Sequence, residues 1–270
     1  MTIPAVRPET RRIVVPLSPA LCGRTALATA ARLAGSLGAE LEGVFIEDID
    51  LIQLAGLSFL RELSPWSLAE TAMDSRRMER QLRALARQAR TLLEQEARKA
   101  DVPWTFQVWR GRTAADVLIQ AFSADILSPG RLSALASCRL WARAGQRRAA
   151  PAGDFRVIGV LAGQTEPALR AVATAARLAS ALDTALAVFL PALDAAGLLQ
   201  LEQGIRSLLE SLQQPARLVH LGGSDIQRLI DAAQAAGSGL LIAEAGHELL
   251  RLGGLERLQD VFDRPVLLVR

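Results

Sequence analysis

Short apolar runs alternate with longer amphipathic segments along most of the chain. The runs RRIVVPLSP (11–19) and LEGVFIE (41–47) are rich in aliphatic residues and are bounded by breakers or charged residues, which is typical of buried strands. Between them, the segment ATAARLA (28–34) has the composition of a helix. Strands that alternate with helices pair in parallel, because each connection must cross over the sheet. The pattern therefore predicts an α/β fold built on a parallel sheet.

The same order of landmarks returns in the second half of the chain. The segment ATAARLA recurs at 173–179, again between two strand-like runs, at 155–163 and 186–192. A third strand begins at a proline and ends at a glycine eight residues later in both halves, at 103–111 and 215–223. A further helix and a fourth strand follow each time. The sequence thus predicts one βαβαβαβ unit, present twice.

The duplication divides the chain into two predicted domains, residues 11–150 and 151–270. The length of 270 residues agrees with this division, because a single domain usually has roughly 100 to 200 residues. The first domain carries an insertion, 47–75, whose apolar residues fit one side of a short helix. Such a side needs a surface to cover, so we expect the insertion to lie over the sheet or to form a homodimer contact. Its apolar positions are Ile49, Ile52, Leu54, Leu57, Leu60 and Leu63.

One more departure from symmetry, two helix starts and one long helix complete the prediction of elements. The segment 131–154 lacks a proline-valine-apolar run, so the last strand of the first domain is predicted to be missing or replaced. Capping boxes are predicted at Thr113 with Asp116 and at Ser224 with Gln227. A helix over residues 75–100 should bury an apolar stripe and expose its arginines. That stripe consists of Met78, Leu82, Leu85, Ala89, Leu92 and Leu93.

Charge is distributed unevenly between the two halves. The net charge is +3, but residues 1–150 carry 21 basic and 15 acidic side chains, against 10 and 13 in residues 151–270. A nucleic-acid surface usually interleaves aromatic residues with clustered basic ones, and that pattern is missing here. The charge pattern therefore argues against nucleic acid as a partner. Cys22 and Cys138 are too few and too far apart for a disulfide framework or a metal spacing.

The sequence also limits where the protein acts. No stretch approaches the roughly 20 uninterrupted apolar residues that a membrane-spanning helix needs. The N-terminal segment MTIPAVRPETRR has no apolar core followed by a cleavage site, so no secretory signal is expected. We therefore expect a cytoplasmic protein without membrane contacts.

A repeated βαβαβαβ unit of this length, with DRPVLLVR (263–270) at its end, resembles the universal stress protein domain. The resemblance covers nearly all of residues 11–130 and 155–270. It implies two tandem doubly wound parallel-sheet domains of the adenine nucleotide alpha hydrolase-like type. In nucleotide-binding members, an acidic residue at the end of the first strand holds the adenine. A loop of the form Gly-x2-Gly-x9-Gly-Ser/Thr after the fourth strand wraps the phosphates, because glycines let backbone amides approach the anion closely.

Transferring these family residues to this chain gives a degenerate nucleotide site. The acidic position corresponds to Ser18 in the first domain and to Gly163 in the second. After the fourth strand, Gly130 and Gly246 are present, but the later Gly-Ser/Thr pair is missing from both domains. The resemblance therefore predicts the fold more strongly than it predicts ATP binding.

No catalytic or metal-binding motif is found. The phosphate-binding motif Gly-x4-Gly-Lys-Ser/Thr is absent, and the single lysine, Lys99, stands in a helical run without flanking glycines. The segment HELLR (247–251) is one residue away from the zinc motif H-E-x-x-H, but its last position is Arg251. A G-x-S-x-G elbow is also missing. We therefore expect neither an enzyme nor a metal site.

Two hypotheses of function remain. The first is a non-catalytic stress-response or regulatory protein that contacts a protein partner through the 47–75 insertion and its arginine-rich helix faces. The alternative is a ligand sensor that binds an adenine nucleotide or another small molecule at the carboxyl ends of the strands of the first domain. No cofactor is expected under the first hypothesis, whereas ATP or AMP is the candidate under the second. The candidate pocket positions are Ser18, Gly130, Arg131, Gly163, Glu244 and Gly246.

Overall fold

The computed structural model describes residues 12–17, 24–57, 61–63, 70–72, 75–111, 126–127, 155–223, 225–251, 254–262 and 264–270. The strands are β1 (Arg12–Leu17), β2 (Glu40–Asp48), β3 (Arg61–Leu63), β4 (Glu70–Ala72), β5 (Trp104–Gly111), β6 (Ile126–Leu127), β7 (Val157–Leu161), β8 (Ala185–Leu190), β9 (Ala216–His220), β10 (Ser238–Glu244) and β11 (Val266–Val269). The helices are α1 (Arg24–Leu37), α2 (Ile49–Ala55), α3 (Ser75–Lys99), α4 (Glu166–Leu182), α5 (Ala195–Ser211), α6 (Ile226–Ala235) and α7 (Gly254–Val261).

Nine of these strands form a single sheet in the order β5-β2-β1-β6-β11-β10-β7-β8-β9. Every pairing in it is parallel except the one between β6 and β11. Counted outward from β11, the strands are β6, β1, β2 and β5 on one side and β10, β7, β8 and β9 on the other. The two halves therefore have the same strand order. The βαβ connections predicted from the sequence are responsible for this order, because each helix carries the chain back to the start of the next parallel strand.

Strand β11 joins the two halves of the sheet. Leu241 of β10 is paired with Val266 in parallel register, and Leu268 is paired with Leu127 of β6 in antiparallel register. The place beside β6, where a last strand of the first half would lie, is thus taken by the last strand of the second half. The segment 131–154 itself, and with it the predicted domain boundary, lies outside the described residues.

Both faces of the sheet are covered, so its central strands are apolar throughout, as expected for a parallel sheet buried on two sides. One hydrophobic cluster contains Ile13 and Leu41 of the first half together with Ile158 and Leu267 of the second. The other cluster includes Leu268, because neighbouring residues of a strand point to opposite faces. Each core layer therefore draws side chains from both halves.

The insertion is not one continuous helical segment. Helix α2 ends at Ala55, and Leu63 lies in β3, which pairs with β4 in a small antiparallel hairpin. Leu60 lies outside the described residues. The predicted single apolar side is therefore wrong beyond α2, where the chain becomes extended. Leu54 and Leu57 are 46% and 40% exposed, so they do not cover the sheet.

The predicted helix over residues 75–100 corresponds to α3, which buries Leu82, Ala89 and Leu93. Helix α6 begins differently from the prediction, because its cap is Asp225, whose carboxylate accepts a hydrogen bond from the Gln227 amide at 3.1 Å. The residues of the first predicted capping box, and Ser224 of the second, lie outside the described residues. Among the described helices, none is long and apolar enough to cross a membrane.

Candidate functional site

The carboxyl ends of β7 and β10 meet at one edge of the sheet in the second half. Ligands of doubly wound sheets bind outside the carboxyl ends of the strands, so this edge is the first place to look for a site. Gly163 follows β7 by two residues, Glu244 is the last residue of β10, and Gly246 comes shortly after it. The structure thus brings the three candidate residues of the second half to the same edge.

The Glu244 carboxylate is already bound by the protein at this edge. The Thr165 hydroxyl donates to a carboxylate oxygen of Glu244 at 2.7 Å and accepts from the Ala168 amide at 3.2 Å. Thr165 is the N-cap of α4, so the carboxylate lies beside the N-terminus of that helix. The positive end of a helix dipole favours an anionic group. Here a protein carboxylate lies beside this end of the helix.

His247 lies against the same loop. A Cβ added to Gly163 would lie 3.9 Å from Nε2 of His247 and 3.0 Å from Cβ of Ala168, so Gly163 has little space beside it. Burial lowers the pKa of His247 below its usual value, while the Glu244 carboxylate and a backbone hydrogen bond with Ala162 act in the opposite direction. A neutral imidazole therefore packs over the loop that follows β7.

Gly246 is held in place by hydrogen bonds within its own loop. The Arg251 guanidinium donates from Nε to the Gly246 carbonyl at 3.0 Å. His247, the next residue, caps a short 3-10 helix at 248–250 by accepting from the Leu249 amide at 3.2 Å. The HELLR segment therefore forms a local turn. The other histidine, His220, pairs with a carboxylate of α5 at 2.9 Å. Among the described residues, no three metal-ligating side chains come together.

In the first half, the candidate residues Ser18, Gly130 and Arg131 lie outside the described residues. What the structure does place at the corresponding edge is an ion pair between neighbouring strands. The Arg110 guanidinium, near the end of β5, donates to the buried Glu47 carboxylate near the end of β2 at 2.7 Å. This hydrogen bond raises the pKa of Arg110. The ion pair thus links β5 to β2 near the carboxyl ends of both strands.

Sequence reasoning named Glu244 at the edge of the second half but missed its neighbours there, Thr165 and His247. Thr165 carried a usable signal, because a threonine followed by Glu166 and Pro167 is typical of an N-cap with proline in the first turn. His247 carried none, because its neighbour across the edge, Gly163, is 84 positions away in the chain and only the fold brings the two together.

Solved structures with a similar architecture support the predicted fold class. A universal stress protein from Archaeoglobus fulgidus is similar with a TM-score of 0.60 and 11% identity, over 97% of this chain and 98% of that chain. A functionally unknown protein from Pseudomonas aeruginosa PAO1 is similar with a TM-score of 0.51 and 14% identity, over 96% and 92%. No protein-family model matches the sequence, and no curated protein is similar to it. The predicted α/β fold of universal-stress-protein type is thereby confirmed.

Proposed function

We propose that this protein is a non-catalytic regulatory protein of a stress response, which acts through protein contacts made by its first half. The observation that carries the proposal is a side of α3 that presents arginines to solvent. In this proposal the second half is a scaffold. It completes the sheet through β11 and does not serve as a nucleotide site.

Five of the seven arginines of α3 lie on one side of the helix. Their spacing alternates between four and three residues, which places them in one row about 21 Å long. Arg83 contacts Glu79 at 3.6 Å, and the Arg90 guanidinium lies 6.0 Å from the centre of the Trp104 ring. We call this row the arginine stripe. Its members are Arg76, Arg80, Arg83, Arg87 and Arg90.

The stripe begins at a place where the helix dipole disfavours cations. The first turn of α3 has no acidic residue and begins with Arg76 and Arg77, at the positive end of the helix dipole. Each such cation costs on the order of 0.3 to 1 kcal/mol. The buried apolar side of α3 holds the helix in place without them. Five exposed cations in one row favour a role in recognition of an acidic partner surface.

Exposed leucines lie next to this helix. Helix α2 is tied to the start of α3, because the Ser75 hydroxyl donates to the Ile52 carbonyl at 3.3 Å. Leu54 and Leu57, the exposed leucines of the insertion, follow on the same segment. Arginine and apolar side chains together are typical of the central part of a protein interface. The first half therefore offers both charge and apolar area to a partner.

The occupied edge of the second half also supports the proposal. The hydrogen bond from Thr165 to Glu244 holds a carboxylate at the carboxyl ends of β7 and β10, where its negative charge would repel a phosphate. His247 packs beside Gly163 at the same edge. The alternative function, a nucleotide sensor, therefore depends on the first half alone, and its candidate residues are Ser18, Gly130 and Arg131.

A charge-reversal experiment tests the proposal. The stripe variant carries Arg80→Glu, Arg83→Glu and Arg87→Glu. The control variant carries Arg206→Glu, Arg217→Glu and Arg228→Glu, three exposed arginines of the second half. Both variants change the net charge by the same amount. Each is expressed in a strain from which the gene has been deleted, and survival is measured under stresses to which that strain is sensitive.

We expect the stripe variant to fail in restoring survival and the control variant to restore it. Thermal unfolding of both purified variants checks that they are folded. A stripe variant that restores survival as well as the wild type would show that the arginines have no role in function. A thermal-shift screen with ATP, ADP, AMP and cyclic dinucleotides addresses the alternative, because a bound ligand raises the melting temperature.

A further inference from the structure

A cleft opens at the amino ends of β7 and β10, at the edge of the sheet opposite to Glu244. Its volume is about 410 Å³. This lies within the range of roughly 300 to 1,000 Å³ that is common for small-molecule sites. Helix α6 ends on one side of the cleft and helix α7 on the other. The residues that matter for its chemistry are Arg156, Gln234, Ser238, Val261, Phe262 and Arg264.

Both charged residues that the structure describes in the cleft are positive. Arg156 and Arg264 both line it, and no aspartate or glutamate is found among the described residues that do so. Their exposed guanidinium groups form no ion pair with any residue that the structure describes. The C-termini of α6 and α7 contribute partial negative charges of about one half each, which is less than the two full charges of the arginines. Arginine pairs bind carboxylate and phosphate groups through parallel hydrogen bonds.

Ser238 supplies a second, independent observation. It is only 4% exposed, and its hydroxyl has no hydrogen-bond partner. The pairing of β10 with β7 shifts by one residue directly after Ser238, which takes this residue out of the regular register. A Cβ on Gly159 would lie 2.8 Å from the Ser238 hydroxyl oxygen and 2.8 Å from Phe189, so the hydroxyl lies on the face of the sheet where Phe262 also packs. A buried hydroxyl without a partner calls for an explanation, and because Ser238 lines the cleft, a ligand group that reached this hydroxyl would provide one.

The cleft also has an apolar part. Phe262 is buried in the core layer beneath it, whereas Val261 is 44% exposed and stands at its rim. A simple inorganic anion would leave this surface uncovered. An anion that carries a small apolar group would cover it and would still reach the arginines.

We propose that this cleft binds a small organic anion, whose carboxylate or phosphate group is held by Arg156 and Arg264 and whose apolar group lies against Val261 and Phe262. The site is separate from the edge where Glu244 lies, and the inference does not depend on the proposed protein contacts. Because Arg264 stands two residues before β11, a bound anion would be connected directly to the strand that joins both halves.

Isothermal titration calorimetry at low ionic strength tests the proposal with three probes: phenyl phosphate, benzoate and inorganic phosphate. We expect phenyl phosphate or benzoate to bind at one site per chain and to bind more tightly than inorganic phosphate. Arg156→Ala and Arg264→Ala should each weaken this binding by about tenfold or more, as expected from the loss of a charge-assisted hydrogen bond. The matched control is Arg217→Ala, an exposed arginine of the edge strand β9.

Three results would overturn the proposal. One is that no probe gives a saturable titration, or a raised melting temperature, at concentrations up to about 10 mM. Another is that Arg217→Ala weakens binding as much as Arg264→Ala does. The third is that inorganic phosphate binds as tightly as phenyl phosphate. Melting curves of the variants without ligand verify that each is folded, and Ser238→Ala should weaken binding without lowering the melting temperature.

Discussion

The two halves should unfold as one unit, because β11 and the core beneath it belong to both. Leu267, which is 0% exposed, tests this expectation. It lies in the hydrophobic cluster that also contains Ile13 of the first half and Ile158 of the second. The substitution Leu267→Ala would remove side-chain atoms from a layer shared by both halves. We expect it to destabilise the first half as much as the second.

The size of the effect follows from the burial of this side chain. Truncating a fully buried leucine to alanine lowers the free energy of unfolding by about 2 to 5 kcal/mol, through lost transfer energy and the cavity left behind. For a urea dependence of about 3 kcal/mol per molar, the unfolding midpoint should fall by about 0.7 to 1.7 M. The control Leu199→Ala, at a residue of α5 that is 60% exposed, should change the free energy of unfolding by less than about 0.5 kcal/mol.

The distribution of tryptophan makes the assay specific. All four tryptophans lie in the first half, at positions 66, 104, 109 and 141. Their fluorescence therefore reports unfolding of the first half, whereas circular dichroism in the far ultraviolet reports both halves. Leu267 belongs to the second half, so a loss of stability seen by fluorescence must be transmitted between the halves.

We expect fluorescence and circular dichroism to give the same lowered midpoint for Leu267→Ala. A fluorescence midpoint that stays at the wild-type value, together with a second transition in circular dichroism, would refute the shared core. The halves would then unfold independently, as separate domains commonly do.

Three further predictions concern the second half. Because burial keeps the pKa of His247 below the value of 6.5 that it has when unfolded, the unfolded chain gains a proton first as the pH falls. The stabilising effect is therefore complete above about pH 6.5 and is lost below it. The equilibrium constant for unfolding should rise by at most about tenfold per pH unit, and urea curves of His247→Asn should show a smaller loss of stability at low pH. Thr165→Val removes the cap of α4 and the partner of Glu244 and should cost about 1 to 2 kcal/mol in urea unfolding, whereas Thr165→Ser should keep most of the stability. Gly159→Ala places a Cβ 2.8 Å from Phe189 and should lower the free energy of unfolding by about 1 to 3 kcal/mol, which thermal unfolding would detect.

The regular elements were predictable because their signals are local. The apolar runs at 155–163 and 41–47 correspond to β7 and β2, and the 75–100 periodicity corresponds to α3. Such patterns follow from the requirement that each strand or helix buries its own apolar side chains. The β3–β4 hairpin had no comparable signal, because each of its strands has only three residues.

The joining of the halves could not be read from the sequence. The ending at 263–270 predicts a last strand, but nothing in its residues shows that Leu268 would be paired with Leu127, far away in the chain. The same holds for the occupied edge, where Glu244 is held by a threonine 79 positions earlier. Contacts of this kind depend on sheet order, which a single sequence does not contain. The spacing of the arginines in the stripe could be seen in the sequence. Their exposure along one side of α3 follows from the structure, which shows which residues of the helix are buried.

The most direct test of the functional account is a calorimetric titration of the wild-type protein with ATP. The account predicts no saturable binding in the micromolar range, because the Glu244 carboxylate at the edge of the second half would repel a phosphate and the nucleotide-binding residues that the sequence resemblance leads one to look for are missing. Micromolar binding that is weakened by Arg131→Ala would contradict it and would make the protein a nucleotide sensor that uses its first half.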